Sequence, residues 1–487
     1  MLKFFKNLFA SPSRQRSAPV MRARYDSAQT TDNNRRYWSN ADFLSANAAN
    51  STGIRKTLRN RARYECANNS YARGIVLTIA NDTIGTGPRL QLLSSDDDTN
   101  TKIENEFSKW ATAAKLSEKL RTMRMSKVES GEAFALFVNN PRLNHPVKFD
   151  LKLLEADQVG DWLFIPTPAQ YVEGVVLDDN GNAIKYKILR QHPGDVNVRF
   201  QPGSDEVDAD KVLHYFRVDR PGQGRGIPEI TPALPLFAML RDYTLATLDA
   251  AKAAAYFAGV LQTSSPADGQ AAQGTPFDTI ELERGMLTTM PDGWTLGQVD
   301  AKQPTQTYKE FKCEILNEIA RCLNVPFNIA AGNSSSYNYA SGRMDHQVYF
   351  KAIRVEQSEI CVLLDRIFVA WLEEAALVEG LLPQTARAKS FKPVFQWFFD
   401  GAQHVDPAKE ATAQETKLRN HTTTLAHEYA KEGKDWRTEI KQRAVEFELM
   451  KSLGLPIVEE KVLVNPDAPH AVPVDPSGDS AEDEDDA

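Results

Sequence analysis

The chain has 487 residues, 42% of them hydrophobic and 25% charged, which is typical of a soluble protein and is too long for a single ordinary core. No apolar run is long enough to span a bilayer, so no membrane partner is expected. The four cysteines show no metal-ligand spacing, which predicts reduced, buried thiols and no metal site, and no cofactor is expected. The net charge of −8 divides into +10 for Met1 to Arg73 and −18 for the remainder.

The first predicted element is a basic, flexible arm over residues 1–40, which are rich in Arg, Ser and Asn and poor in aliphatic residues. Basic residues continue into the helical pattern that follows. One interpretation is that these arginines contact phosphate or an acidic partner such as a scaffold protein, and the other is that the arm is only solvated. The candidate contacts are Arg22, Arg24, Arg35, Arg36, Arg55, Arg59, Arg61 and Arg63.

Residues 41–230 predict an α+β module. Its first helix has an apolar face at four-residue spacing, a second helix is predicted over 97–125, and Asp179-Asn-Gly181 predicts a β-hairpin. The predicted helix face consists of Ile54, Leu58, Ala62 and Cys66, and strands are predicted at Ala133–Val138, Phe149–Leu154, Tyr171–Leu177, Ala183–Leu189 and Val212–Val218.

Glycine-rich and acidic motifs in this module do not predict a ligand site. Neither Gly85-Thr-Gly-Pro88 nor the stretch from Pro221 to Pro235 contains Gly-Lys-Ser/Thr, so nucleotide binding is not expected, although the glycines of the second stretch fit a close backbone approach. Asp150, Glu155 and Asp157 have no histidine at ligand spacing, and we interpret them as structural or surface carboxylates.

The next segment predicts two helices separated by a loop and short strands. An Ala-rich helix is predicted from Thr231 to Ala258, and its small residues suit either packing against copies in neighbouring subunits or an ordinary interior position. Gln262–Pro276 is predicted to be a loop, and Leu282–Val299 short strands. The second helix ends at Pro326, and its apolar residues are Tyr308, Phe311, Ile315, Ile319 and Leu323.

A polar loop over Gly332–Gly342 follows, because this stretch has almost no aliphatic residue to bury. A long helix is predicted from Arg343 to Ala376. Hydroxyl, amide and phenol groups on the loop could contact nucleic acid without reading its sequence, whereas the alternative is a plain surface loop. The candidate loop contacts are Asn333, Ser334, Ser335, Ser336, Tyr337, Asn338, Tyr339, Ser341 and Arg343.

The C-terminal part predicts helices and then a disordered tail. Asp406 before Pro407 is a good helix start, and two or three helices are predicted up to Gly454. The acidic, Pro-rich stretch of residues 461–487 is predicted to be disordered.

Four runs of residues, taken together and in order, resemble the lambda family of phage portal proteins. They are NNSYARGIVLTIANDTIGTGPRLQL from Asn68, RPGQGRGIPEITPAL from Arg220, EIARCLNVPFNIAAGNSSSYNYASGR from Glu318, and the downstream WLEEA. The loop departs from the family's usual run at Ala340 and Gly342, which leaves its individual contacts open.

The resemblance implies a portal fold of the α+β class, with an α/β wing, a helical stem, a small α/β clip, a long kinked helix with a tunnel loop, and a helical crown. Its implied divisions are an arm at 1–40, the wing at 41–230, a stem helix at 231–261, the clip at 262–307, a second stem helix at 308–325, the tunnel loop at 326–342, the long helix at 343–380, C-terminal wing and crown helices at 381–460, and an acidic tail at 461–487.

The resemblance also implies a function and partners. Portal proteins of this family form a ring, here expected to have twelve copies, at the unique capsid vertex, where double-stranded DNA passes during packaging and ejection. The expected partners are the terminase large subunit, head-tail connector proteins and the major capsid or scaffold protein. The protein is therefore expected in the virion, after assembly in the cytoplasm of a bacterial host.

Two other classes of function stay open from the residues alone. A serine hydrolase could use Ser334, Ser335 or Ser336 with the Asp345-His346 pair, but the chain has no GxSxG, HExxH, CxxC or P-loop motif, so no enzyme is expected. A monomeric adaptor or scaffold protein could bind nucleic acid through the basic arm alone.

Overall fold

A computed structural model describes residues 32, 35–161, 171–196, 203–256, 260–263, 294–297, 306–335, 337–388, 391–401, 407–432 and 434–455. It is a mixed helix-and-sheet fold, which confirms the predicted α+β class. The chain forms two compact units, each built from two segments. The first unit is Met1–Thr83 with Ala114–Ala370, and the second is Ile84–Ala113 with Trp371–Ala487.

The helices in chain order are α1 (Ala46–Ala49), α2 (Thr52–Asn68), α3 (Ser70–Ile84), α4 (Asp97–Ala113), α5 (Leu116–Ser130), α6 (Leu234–Tyr256), α7 (Gln306–Cys322), α8 (Phe327–Ala331), α9 (Tyr339–Leu377), α10 (Gln384–Arg387), α11 (Pro407–Arg419), α12 (Leu425–Lys431) and α13 (Trp436–Ser452). The strands are β1 (Arg89–Leu92), β2 (Glu132–Asn139), β3 (Phe149–Leu154), β4 (Tyr171–Val172), β5 (Val175–Leu177), β6 (Ala183–Leu189), β7 (Ser204–Asp208), β8 (Val212–Phe216), β9 (Val260–Thr263), β10 (Trp294–Gly297) and β11 (Phe395–Phe398). Among the described residues, no helix is both long enough and apolar enough to cross a membrane.

The buried face of α2 keeps the predicted Leu58, Ala62 and Cys66 but has two arginines and not Ile54 at its start. Ile54 is 45% exposed, whereas Arg55 and Arg59 are buried beside Ala62 and Cys66. The prediction for Ile54 was therefore wrong, because buried acidic partners elsewhere in the first unit draw the two arginines inward. The Cys66 thiol is buried, which raises its pKa to about 12 and keeps it protonated.

The two larger sheets of the first unit are antiparallel and have the orders β3-β2-β8 and β4-β5-β6-β7. The predicted hairpin is confirmed, since Gly181 has a φ of +84° and the Asp178 amide donates to the Asn182 carbonyl at 2.8 Å. Tyr171–Leu177 was predicted as one strand but is the β4-β5 hairpin, which turns at Gly174. A Cβ there would lie 2.5 Å from the Gly160 amide nitrogen, so glycine is required. The acidic edge strand β7 lacks the apolar alternation that would have predicted it.

One hydrophobic core joins the helices of the first unit. The predicted α6 is confirmed, with a 3₁₀ turn at Thr231–Ala233 before it. Its residues pack with those of α2, α3, α7 and the early part of α9, and central members of this core are Ala62, Ile75, Phe237, Leu240, Ile319 and Ile353. The predicted helix that ends near Pro326 is likewise confirmed as α7, which stops at Cys322, and Asn324 then has a φ of +55°.

The long helix α9 starts earlier than predicted. It spans 39 residues from Tyr339 to Leu377, about 58 Å at 1.5 Å per residue. Between α6 and α7, the described backbone pairs β9 with β10, so Gln262 and Thr263 belong to a strand and not to the predicted loop.

The second unit pairs strands that lie about 300 residues apart in sequence. Arg89 of β1 is opposite Phe398 of β11 in an antiparallel ladder. Phe107 of α4 lies at the centre of its aromatic core, with ring centroids 5.2 Å from Trp371 and 5.7 Å from Trp397. Of the predicted C-terminal helices, α11 begins at Pro407 as expected, and Asp435 caps α13 by accepting hydrogen bonds from the Arg437 and Thr438 amides.

Candidate functional site

The polar segment between α8 and α9 is a short, self-bonded loop. Gly332 ends α8 with a φ of +61°, and the Asn333 amide donates to the Asn328 carbonyl at 3.0 Å. The Asn333 side chain accepts from the Ser335 amide at 2.9 Å, and the Tyr337 amide donates to the Ser334 carbonyl at 3.1 Å. These bonds satisfy the loop backbone locally and leave the side chains of Asn333, Ser334 and Ser335 exposed.

Asn338 and Ser341 fix the start of α9. The Asn338 side-chain oxygen accepts from the Ser341 amide at 2.9 Å, and the Asn338 amide donates to the Ser341 hydroxyl at 3.3 Å. This reciprocal pair is a capping arrangement that nucleates the helix. Tyr339, Ser341 and Arg343 are therefore in the first turns of α9 and not in the loop, and the Asn-x-x-Ser spacing is the signal that would have predicted this. Ser336 lies outside the described residues.

The aspartate and histidine beside the loop have partners other than serine. Tyr337 is half-buried, and burial together with its hydrogen bond to Asp345 raises the pKa of its phenol. The His346 Nε2 atom lies 3.0 Å from the Asn328 side-chain nitrogen. Within the described residues, no hydrogen bond joins Ser334 or Ser335 to His346, which is the contact that a hydrolase of this kind requires.

Two of the candidate phosphate contacts are instead buried in the first unit, around Glu132. Arg59 donates to the Glu132 carboxylate at 2.6 Å and to Asp157 at 3.1 Å. Arg55 is ion-paired with Glu173, and its burial lowers its pKa to about 9. The prediction that Arg55 and Arg59 contact an outside partner was therefore wrong, because their charges are taken up within the chain.

Glu132 is the centre of this group, which we call the Glu132 cluster (Arg59, Glu132, His214 and Arg225). Arg225 is completely buried and donates from two of its nitrogens to Glu132, at 2.7 and 2.9 Å. The His214 Nε2 atom lies 3.0 Å from the Glu132 Oε2 atom. Burial alone would raise the pKa of Glu132, but Arg225, His214 and Arg59 outweigh it and hold the pKa well below its usual range.

The glycine-rich run around Arg225 brings that guanidinium to Glu132. A Cβ on Gly226 would collide with the Gly131 carbonyl, and one on Gly131, whose φ is +87°, would lie 2.5 Å from the carbonyl carbon of Ile227. The Gly226 amide also donates to Glu132 at 3.0 Å. The two backbones can approach only because both residues lack a side chain, which confirms the close approach predicted for these glycines.

A second buried group, the Lys127 cluster (Arg124, Lys127, Tyr215, Glu229 and Glu356), joins α5, β8 and α9. Lys127 is fully buried and donates to Glu356 at 3.0 Å and to Glu359 at 2.9 Å, while Arg124 donates to Glu229 at 2.9 Å. Sequence reasoning missed this group. The sequence feature that could have revealed it is Lys127. This charged residue continues the three-and-four spacing of the apolar residues Leu116, Leu120 and Met123 on one face of α5.

Glu155, Asp157 and His192 present their ligand atoms within 4.8 Å of one another, although His192 is too distant in sequence for spacing to predict it. Arg59 and Arg63 already hold Asp157, Arg63 at 2.8 Å. Burial raises the pKa of Asp157, but these two arginines outweigh it and lower the pKa overall. With two guanidinium groups in contact, this arrangement stabilises ion pairs and does not suit a metal ion.

The remaining candidate arginines divide into three groups. Arg63 is half-buried and ion-paired to Asp157 and Glu155. Arg35, Arg36 and Arg61 are exposed, so they stay candidates for an outside contact. Arg22 and Arg24, like most of the predicted arm and the acidic tail, lie outside the described residues.

These features describe a protein that presents a polar loop between helices and uses its buried charges to hold its own fold. A family model described as phage portal protein, lambda family, matches residues 32–357, about two-thirds of the chain. The chain belongs to this family. That confirms the function predicted from the resemblance, a portal ring at the capsid vertex in the virion, and the hydrolase and adaptor alternatives are not supported. The family is structural and not catalytic.

The chain is also similar to one named protein and to chains of solved structures. The chain is 26% identical over 452 residues to a protein of Halomonas phage phiHAP-1 named "Probable portal protein", covering 86% of this chain and 85% of that one. Among solved structures, it is similar to a chain in the neck of an empty gene transfer agent (GTA) particle computed with C6 symmetry. The TM-score is 0.45 and the identity 14%, and the match covers 82% of this chain and 94% of that one. A chain in the neck of a native GTA particle computed with C12 symmetry gives a TM-score of 0.43 and 13% identity, and covers 79% of this chain and 94% of that one.

Proposed function

We propose that this protein forms a ring of twelve copies that conducts double-stranded DNA into and out of the capsid without recognising its sequence. The family match over residues 32–357 is the observation that carries this proposal. The ring would dock the terminase large subunit during packaging, then head-tail connector proteins, and would contact the major capsid or scaffold protein. Assembly would take place in the cytoplasm of the bacterial host.

We assign the parts of a portal subunit as the family relation implies. The wing is 41–230, the stem is 231–261 with 308–325, the clip is 262–307, and the C-terminal wing and crown helices are within 381–460. The positions of α6 and α7 agree with two stem helices, and the β9-β10 pair agrees with a small clip. The long helix is proposed at 343–380, although its helical geometry starts at Tyr339.

The loop at Gly332–Asn338 is our candidate for the channel contact. Its exposed hydroxyl and amide groups can touch phosphate and sugar through neutral hydrogen bonds. The described loop carries no lysine or arginine before Arg343 in α9, and a DNA duplex must slide, so this neutrality limits the salt-dependent affinity that each neutralised phosphate would add. Arg35, Arg36 and Arg61 are candidates for a separate contact with phosphate or an acidic partner.

The test replaces Asn333, Ser334 and Ser335 with alanine in the phage. Rings should assemble normally, because these side chains are exposed, while the yield of packaged DNA or its retention should fall at least several-fold. A matched control replaces the exposed Asp179 and Asn180 of the wing hairpin with alanine. Unchanged packaging in the triple variant would remove the loop from the channel, and native mass spectrometry of the purified ring would decide the copy number.

A further inference from the structure

The outer faces of α7 and α9 are chemically complementary. The α9 outer face (Arg343, Val348, Lys351, Arg354 and Val355) is basic and apolar, whereas the α7 outer face (Glu310, Phe311, Glu314 and Glu318) is acidic with one aromatic ring. All nine residues are exposed. They belong to the first unit, and the buried sides of both helices enter the same hydrophobic core through Leu316, Ile319, Tyr349 and Ile353.

The α9 outer face continues as a stripe of exposed apolar residues at heptad spacing. Val348, Val355, Val362 and Val369 recur every seven residues, which is the spacing of a helix seam that packs against another helix. A single exposed valine needs no explanation, but a row along one helix marks a contact surface. The exposed fractions are 64% for Val348, 56% for Val355, 62% for Val362 and 46% for Val369.

The charges on the two faces lack ion-pair partners in the part of the chain that the structure describes. Arg343 and Lys351 form no ion pair with any described residue, and neither do Glu310, Glu314 and Glu318. In the Glu132 and Lys127 clusters, by contrast, every charged side chain faces an opposite charge within 4.0 Å. The basic α9 outer face of one copy can therefore be neutralised by the acidic α7 outer face of a second copy.

We propose that the α9 outer face of one subunit docks on the α7 outer face of the next subunit around the ring. A closed ring requires such a head-to-tail contact, in which each copy contributes two different surfaces. A two-fold contact between two α9 outer faces is disfavoured, because it would bring Arg343, Lys351 and Arg354 against their own copies. Lys309 and Arg321 flank the three glutamates and would limit the register of the contact. This inference rests on the proposed ring.

The test uses charge reversal in the full chain. The variant K351E/R354E makes the α9 outer face acidic, and E314K/E318K makes the α7 outer face basic. Each variant alone should lose ring formation at least tenfold by electron microscopy and light scattering, since like charges then meet at every interface. The chain with all four substitutions should recover rings. Mixing the two double variants should also recover them, because both of the interfaces in an alternating ring then pair opposite charges.

Controls separate the possible failures. The variant K56E/K102E changes the charge equally at two exposed lysines on α2 and α4, and it should assemble like the unaltered protein. Circular dichroism and the thermal midpoint of each monomer should be unchanged. If the unaltered protein forms rings and neither double variant is impaired, or if the fourfold variant does not recover, the docking of α9 on α7 is wrong while the portal function stands. Rings that form but no longer enter capsids would assign these faces to a capsid partner. An unaltered protein that never forms rings, with or without capsid proteins, contradicts the portal function itself.

Discussion

The Glu132 cluster and the outer faces of α7 and α9 are both rich in charge, but they use it in opposite ways. In the cluster, a fully buried carboxylate is surrounded by Arg59, Arg225 and His214, so its charge is balanced within one chain. On the helices, Lys351, Glu314 and Glu318 have no such partner among the described residues. The fold therefore requires the buried charges of the Glu132 cluster, whereas the exposed charges of α7 and α9 are available for contacts with another subunit. Removing a buried charge should therefore destabilise the subunit strongly, whereas removing an exposed one should leave its stability almost unchanged.

The largest expected effect comes from breaking the Glu132 cluster. Arg225→Met leaves Glu132 buried with fewer cations, which should lower the free energy of unfolding by about 3–5 kcal/mol. Urea denaturation of the unassembled chain measures it. Arg190→Met is the matched control, because its ion pair with Asp205 is exposed on both sides and its loss should leave the free energy of unfolding almost unchanged. Equal losses in the two variants would contradict the assignment of Arg225 to the core.

The same cluster predicts a direction of pH dependence. The pKa of Glu132 in the folded state is well below its unfolded value, so its stabilising contribution is present above about pH 4.3 and is lost as the pH falls toward the folded pKa. Glu132→Gln should remove this part of the acid sensitivity, although it also destabilises the fold at neutral pH. The urea midpoint would be measured at pH 7 and pH 4 for both proteins. An equal change in midpoint with pH in the variant and the unaltered protein would contradict the role of this carboxylate.

A proline in α6 should have the next largest effect. The start of this helix is buried through Phe237 and Leu240, whereas Leu245 and Leu248 are exposed. One part of α6 therefore packs in the core and another part faces solvent. Ala250→Pro removes a backbone donor and should cost about 3 kcal/mol, and Ala250→Gly, as the control, about 1 kcal/mol. Circular dichroism at 222 nm with chemical denaturation measures both. A proline variant as stable as the unaltered protein would refute a regular helix at this position.

Glu104 of the second unit sharpens the comparison, because this half-buried carboxylate forms no ion pair with a residue that the structure describes. Burial is the largest cause that raises its pKa to about 7, even though it accepts a hydrogen bond from the Leu92 amide at 2.6 Å. Its folded pKa is above its unfolded value, so its stabilising contribution is complete below about pH 4.3 and is lost as the pH rises through 7. The loss should be about 1–2 kcal/mol after allowance for solvent screening.

Glu104→Gln is the variant that tests this direction. The glutamine cannot ionise but can still accept the bond from Leu92, so the difference in unfolding free energy between the variant and the unaltered protein should grow from pH 5 to pH 8. Denaturant titrations at the two pH values measure it. A difference that stays constant with pH would show that Glu104 ionises normally in the folded chain.

The smallest expected effect on the subunit is at the exposed charges. Lys351→Gln should change the free energy of unfolding by less than about 0.5 kcal/mol, because the side chain is exposed and has no ion-pair partner among the described residues. Differential scanning calorimetry of the monomer measures this. A loss comparable to that of Arg225→Met would mean that the outer face of α9 contributes to the fold and not to assembly alone.

Local sequence patterns determined much of this protein. The spacing of apolar residues predicted α6 and α7, Asp179-Asn-Gly181 predicted its hairpin, and the low aliphatic content of Gly332–Gly342 predicted a polar loop, of which the part before Tyr339 is a loop. Each of these depends on residues within a few positions of one another, for which helix period, turn geometry and burial potential are sufficient. The ordered motifs also identified the family.

Only the tertiary structure decided the pairings across long distances in sequence. The pairing of β1 with β11, the burial of Arg59 instead of Ile54, and the position of Arg225 beside Glu132 depend on residues about 70 to 300 positions apart. A charged residue has the same local pattern whether it meets solvent or a buried opposite charge. The free energy that decides between the two comes from desolvation and from the partner, and both exist only once the chain has folded.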